Sequence, residues 1–151
     1  MEHLLFFFFL FALSYAFAKI EIQIEGPNGW ASELPAWKLP KSHWVSRVFF
    51  GGRPADGYHV WAYLVFLPLA VHAPFLYTPF SLATELKILS FFILFLIIED
   101  FLWFVANPSF GLRKFKKEHI WWHAHHWLWI APSEYLFVIP GIALYVASYW
   151  L

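Results

Sequence analysis

Two neighbouring acids and four histidines are the residues of this chain most suited to chemistry. Glu99 and Asp100 lie toward the end of an apolar run, and the histidines follow in a tryptophan-rich loop: His119, His123, His125 and His126. Neutral imidazole combined with carboxylate suits Zn, Fe or Mn. Acids within a membrane segment are costly and are usually functional. The pattern therefore predicts a divalent-metal site at the end of this run.

Helical spacing indicates which of these side chains can meet. If residues 118–127 are helical, His119, His123 and His126 lie on one face at i, i+4 and i+7, and His125 points elsewhere. The adjacent acids point about 100° apart. Asp100 shares a helical stripe with Trp103 and Asn107, and Asn107 leads into the histidine loop. We therefore predict a site core and further candidate ligands; the core is Asp100, His123 and His126, and the candidates are Glu99, His119, His59 and Glu134.

Three interpretations of this polar group stay open. The first is a divalent metal held by histidine and carboxylate. The second is haem, ligated by histidines in a cofactor-binding subunit. The third is a hydrogen-bonded cluster that binds no ligand, in which Glu99 and Asp100 join helices together and the histidines only tolerate the membrane interface. Metal analysis and a haem absorption band would separate the three.

The composition places these residues in a membrane protein. The 151-residue chain is 61% apolar and 24% aromatic, and it is 13% charged, whereas soluble domains are about a quarter charged. Its formal net charge is zero, so nothing suggests a nucleic-acid partner. Without cysteine, the chain has no disulfide, thiolate zinc site or cysteine nucleophile. The partners that we expect are membrane lipids, with an oligomer or a larger membrane complex as further possibilities.

Four apolar runs predict an all-α integral membrane protein with four transmembrane helices. They form one membrane domain over residues 1–151, with spans at about 4–18, 58–77, 86–106 and 128–150. The first run is about 22 Å long as a helix, against ~30 Å for the hydrocarbon core. It is either a retained helix or a signal peptide cleaved after Ala18. The absence of Lys or Arg before it favours retention.

The loop at 19–57 differs in composition from the spans. Alternation of Ile20, Ile22 and Ile24 with polar residues predicts a half-buried strand. Prolines forbid a long helix farther on, and tryptophans recur at Trp30, Trp37 and Trp44. The pattern predicts a Trp/Pro-rich segment that lies at the membrane interface.

Charge distribution predicts the orientation. Four spans put the loops 19–57 and 107–127 on one face, and these loops contain nine of the ten basic residues, all except Lys87. The positive-inside rule then places both loops in the cytoplasm.

These features favour a small membrane metalloenzyme that acts on a lipid-like substrate. One alternative is an accessory or haem-binding subunit of a larger complex, and another is a structural polar cluster without catalysis. A proton-relay or transport element is a further class, although four spans without a repeat are unusual for a transporter.

Overall fold

The computed structural model describes residues 1–123 and 126–151, and it is 62% helical. Its principal helices, in chain order, are α1 (Glu2–Glu25), α2 (Trp44–Phe49), α3 (Gly57–Val71), α4 (Leu82–Ala106) and α5 (Val138–Ala147). Residues 60–66 of α3 form a π-helical stretch. Short 3₁₀ turns occupy Ala73–Leu76, Leu112–Lys114 and Ser133–Phe137. A two-residue antiparallel pair, β1 (Trp127–Leu128) with β2 (Ala131–Pro132), precedes the last helical segment.

Two helices, α1 and α4, are long and apolar enough to cross a membrane, with 24 and 25 residues. The other two predicted spans contain shorter helices, Gly57–Val71 and Ser133–Ala147. The run at 58–77 loses its helix after Val71, where a 3₁₀ turn carries Pro74. The run at 128–150 begins with a hairpin in place of a helix. The prediction of a mostly helical chain with membrane-length helices is confirmed, whereas four crossings are not shown.

The strand predicted around residues 20–24 is wrong, because α1 continues without a break to Glu25. No glycine or proline interrupts the chain before Gly26 and Pro27. The buried stripe of α1 continues at helical spacing: Leu10, Ser14, Ala18, Ile22 and Glu25. Six alternating residues are a short signal, and the preceding helix decided the outcome because extending a helix requires no new nucleus.

Small side chains bring the helices close together. Ser14 and Ala18 on α1 and Ser90 on α4 are fully buried. α4 also packs against α5, where a Cβ added to Gly141 of α5 would lie 2.8 Å from Leu94 Cδ2 of α4. Close approach at small residues is the usual way that helices pack in a membrane.

An aromatic core joins the two loops at one end of the helices. Ile120 and Trp122 from the second loop pack with Trp103 and Phe104 of α4 and Ile22 of α1. Asn107 Nδ2 donates to Gly26 O across the loops at 3.2 Å. The two loops therefore fold as one layer over the ends of α1 and α4.

The contact of Gly29 with Trp122 yields a stability prediction. Gly29 has φ +68°, and a Cβ there would lie 2.4 Å from Trp122 Cη2. Gly52 has φ +78° and nothing within 4 Å. Both Gly→Ala changes carry the left-handed backbone penalty, but only Gly29→Ala adds overpacking.

We expect Gly29→Ala to lower the free energy of unfolding by about 1–3 kcal/mol more than Gly52→Ala does. The measurement is denaturant-induced unfolding in detergent micelles. Equal losses in the two variants would show that Trp122 does not pack on Gly29.

Candidate functional site

A cavity of about 590 Å³ lies between α1, α3, α4 and the loop layer. Its walls along α3 and α4 are apolar: Leu64, Pro68, Phe92, Ile93, Leu96 and Ile97. Its end near the loops is polar, with acids, imidazoles and one guanidinium: Glu21, Glu25, Glu99, Asp100, Glu134, His59, His123 and Arg53. A volume of this size is typical of small-molecule sites, in which a few polar groups orient a ligand.

Glu21, Glu25 and His59 form the tightest group of potential metal ligands. One donor atom from each residue lies within 4.8 Å of the other two, and all three residues are buried. Glu21 and Glu25 are one turn apart on α1, so both face α3. His59 Nε2 lies 3.4 Å from Glu25 Oε1.

Asp56 determines how the His59 ring presents its nitrogens. Asp56 Oδ1 accepts from the His59 backbone N–H at 3.0 Å and so caps the start of α3. Asp56 Oδ2 lies 2.7 Å from His59 Nδ1. An ionised carboxylate can only accept, so Nδ1 carries a proton. In a neutral ring the Nε2 lone pair then faces Glu25, and in a protonated ring Nε2–H donates to Glu25. This carboxylate–histidine pairing is the usual outer-shell arrangement of a metal-binding histidine.

Two tyrosines connect this group to Glu99. Tyr58 OH donates to Glu21 Oε1 at 3.0 Å. Tyr63 OH lies 2.5 Å from the same Glu21 oxygen and 3.2 Å from Glu99 Oε2, although it has one proton to donate. Among the described residues, Glu99 Oε1 and Trp103 Nε1 are buried and have no hydrogen-bond partner. The carboxylate oxygens of Glu21 and Glu99 therefore outnumber the two tyrosine protons that reach them.

A second polar group surrounds His123. His123 Nε2 lies 3.2 Å from Asp100 Oδ1, and Tyr135 OH donates to Asp100 Oδ2 at 2.6 Å. On the other side of the ring, Arg53 Nη1 lies 3.3 Å from His123 Nδ1, and Arg53 Nη2 donates to Glu134 Oε1 at 3.0 Å. Burial alone lowers the pKa of His123, but the charge of Asp100 and its hydrogen bond raise the pKa by more, so the net shift is upward.

The structure brings together some of the predicted site residues and separates others. Asp100 and His123 are in direct contact, and Glu134 lies 3.7 Å from His123 Nδ1. His126 Nε2 instead contacts Gly51 O at 3.0 Å, and His119 is exposed. Residues 118–123 form turns, so the one-face arrangement expected for a helix does not arise. His125 lies outside the described residues.

His59 and Glu99 also line the cavity, but His59 belongs to the group with Glu21 and Glu25. The alternating pattern hides that group, because a strand over residues 20–24 would put Glu21 and Glu25 in a loop. Their i, i+4 spacing before Gly26 was the available signal. Asp56 was signalled by its position directly before Gly57, where an acid can cap a helix. No local pattern indicated Arg53.

The balance of charge at the polar end is strongly negative. Six carboxylic acids face one guanidinium and two imidazoles; the acids are Glu21, Glu25, Asp56, Glu99, Asp100 and Glu134, and the bases are Arg53, His59 and His123. Within the described residues, no lysine or arginine forms a salt bridge with Glu21, Glu25 or Glu99. Three negative charges would remain if all acids were ionised and both imidazoles protonated. Buried charge of this size requires protons or a bound cation.

Comparison of the chain with models of protein families, with curated proteins and with solved structures finds no match.

Proposed function

We propose that this chain is a membrane-embedded, metal-dependent enzyme that acts on a lipid-like substrate. A divalent cation is bound by Glu21, Glu25 and His59, and the Asp100–His123 pair accepts and donates protons during the reaction. The single observation that carries the proposal is the set of three buried donors within 4.8 Å of one another, with His59 held by Asp56.

The atoms of the first group can bind either a proton or a cation. With Nδ1 donating to Asp56, His59 Nε2 lies 3.4 Å from Glu25 Oε1. In the metal-free protein a proton on either atom pairs the two, because buried polar groups are normally paired. A metal ion that displaces this proton would bind both atoms. Two carboxylates and one imidazole suit Zn, Fe or Mn.

The metal would supply Lewis acidity or an activated water at neutral pH. The protein positions the remaining groups. His123 is in contact with Asp100 through Nε2 and faces Arg53 and Glu134 through Nδ1. A histidine held between charged groups in a cavity is suited to accept and donate a proton. The apolar walls provide space for the rest of a lipid-like molecule.

Metal analysis of purified protein tests this proposal. We expect about one Zn, Fe or Mn per chain in the wild type, and loss of most of it in His59→Ala because a three-ligand site then loses its imidazole. The matched control is His72→Ala. His72 also faces a glutamate, Glu85, at 3.3 Å, but it does not line the cavity.

Equal metal content in His59→Ala and wild type would contradict the assignment of this site. Wild-type protein that cannot be loaded with any of the three metals would favour the structural cluster. A haem absorption band would favour the cofactor-binding subunit.

A further inference from the structure

The apolar part of the cavity follows one face of α4 away from the polar end. Ile93, Leu96, Ile97 and Asp100 lie at i, i+3, i+4 and i+7, so they share that face. Ile93 is seven residues before Asp100, which is about 10 Å along the helix. Leu64 and Pro68 of α3 also line this part. An elongated apolar ligand segment would lie along this face, with its polar end near Asp100.

Two phenylalanines mark where the cavity reaches the surface. Phe49 and Phe137 line it, yet their exposed fractions are 53% and 59%. Leu136 and Val138, which flank Phe137 in sequence, are also exposed. The opening is therefore bordered by apolar side chains, as a lateral entrance for a lipid would be.

The charges at the polar end select against an anionic headgroup. Acids outnumber bases there even when a divalent cation is added. The guanidinium of Arg53 is already occupied: Nε donates to Phe50 O at 2.8 Å, Nη2 donates to Glu134, and Nη1 lies against His123. Among the described lining residues, His59 and His123 also have acidic partners already, so no base there is left free to bind a phosphate or carboxylate.

The atoms without partners indicate the headgroup that would fit. Glu99 and Trp103 line the cavity one turn apart on α4, and Glu99 Oε1 and Trp103 Nε1 have no partner among the described residues. A carboxylate oxygen needs a donor, and an indole N–H needs an acceptor. A hydroxyl can supply either a donor or an acceptor, and an amine can supply a donor and is attracted by the surplus of carboxylates.

We infer that the substrate is a membrane lipid with a hydroxyl or amine headgroup, bound with an apolar chain along Ile93–Ile97 and its headgroup beside Glu99 and Asp100. This inference rests on the proposed function, because it names the molecule on which the metal site acts.

Photoaffinity labelling in membranes tests the inference with the entire 151-residue chain in its metal-loaded form. Three probes share one alkyl chain with a diazirine, and they differ in headgroup: hydroxyl, amine or carboxylate. We expect the first two to label peptides of α3 and α4 about tenfold or more above the carboxylate probe, since like charges are rejected.

Ile97→Trp should fill the apolar part and abolish this labelling without removing a metal ligand. The control is Leu69→Trp. Leu69 lies on α3, as Leu64 does, but it is 71% exposed and does not line the cavity. Leu69→Trp should label as the wild type does.

Equal labelling by the three headgroups, or unchanged labelling of Ile97→Trp, would overturn the inference. The metal content of each sample separates this outcome from failure of the proposed function. Selective labelling of a protein that cannot bind metal would refute the proposed metal-dependent enzyme but not the choice of lipid. A metal-loaded protein without selective labelling would refute the substrate alone.

Discussion

Removal of the metal is expected to lower the melting temperature of the wild type by on the order of 5–10 °C. A ligand present at a hundred times its dissociation constant stabilises the folded state by about 2.7 kcal/mol. For a domain of this size, each kcal/mol corresponds to roughly 2–4 °C. Thermal melts with saturating metal and with chelator measure the difference.

In the same melts, the difference in melting temperature between Glu25→Gln and the wild type should change sign when metal is added. Without metal, the amide removes one acid from a group with too few donors, so the variant is expected to be as stable as the wild type or more stable. With metal, the variant lacks a ligand and should be less stable than the wild type. Glu85→Gln is the matched control, because Glu85 pairs with His72 outside the cavity.

A structural polar cluster gives a different result. Glu25 would then stabilise the fold through its contact with His59, and Glu25→Gln would change the melting temperature equally with and without metal. That outcome would rule out a metal at Glu25.

Asp56→Asn is expected to weaken metal binding by about 10–100-fold while leaving the fold intact. Asparagine caps a helix as well as aspartate does, so its carbonyl can still accept from the His59 backbone N–H. Its amide, however, would donate to His59 Nδ1. The ring would then carry its proton on Nε2, which faces Glu25, and that nitrogen could no longer bind a metal.

Two measurements separate this effect from loss of structure. Metal titration should show the weaker affinity, and thermal melts in chelator should show a melting temperature near that of the wild type. Asp56→Ala is the comparison, since it removes the cap as well and should destabilise the metal-free protein by about 1 kcal/mol. Unchanged metal affinity in Asp56→Asn would show that Asp56 does not orient a ligand.

The sequence by itself determined the helical character and the apolar runs, because these depend on local composition and on the length of uninterrupted apolar segments. It also indicated that Asp100 and His123 lie near each other. Asp100 is close to the end of α4, and His123 belongs to the loop that begins at Asn107. Acids within an apolar run stand out, and this made Glu99 and Asp100 visible without any structure.

Tertiary structure alone decided which groups share the cavity. Glu21 and Glu25 became candidate ligands once α1 continued to Gly26 and packed on α4 and α3, and six alternating residues could not reveal that. Arg53 reaches His123 across 70 positions of sequence. The turns at residues 118–123 direct His123 inward and leave His119 exposed, because packing of Trp122 in the aromatic core sets the loop conformation. Contacts between distant segments depend on packing energy, which no local pattern records.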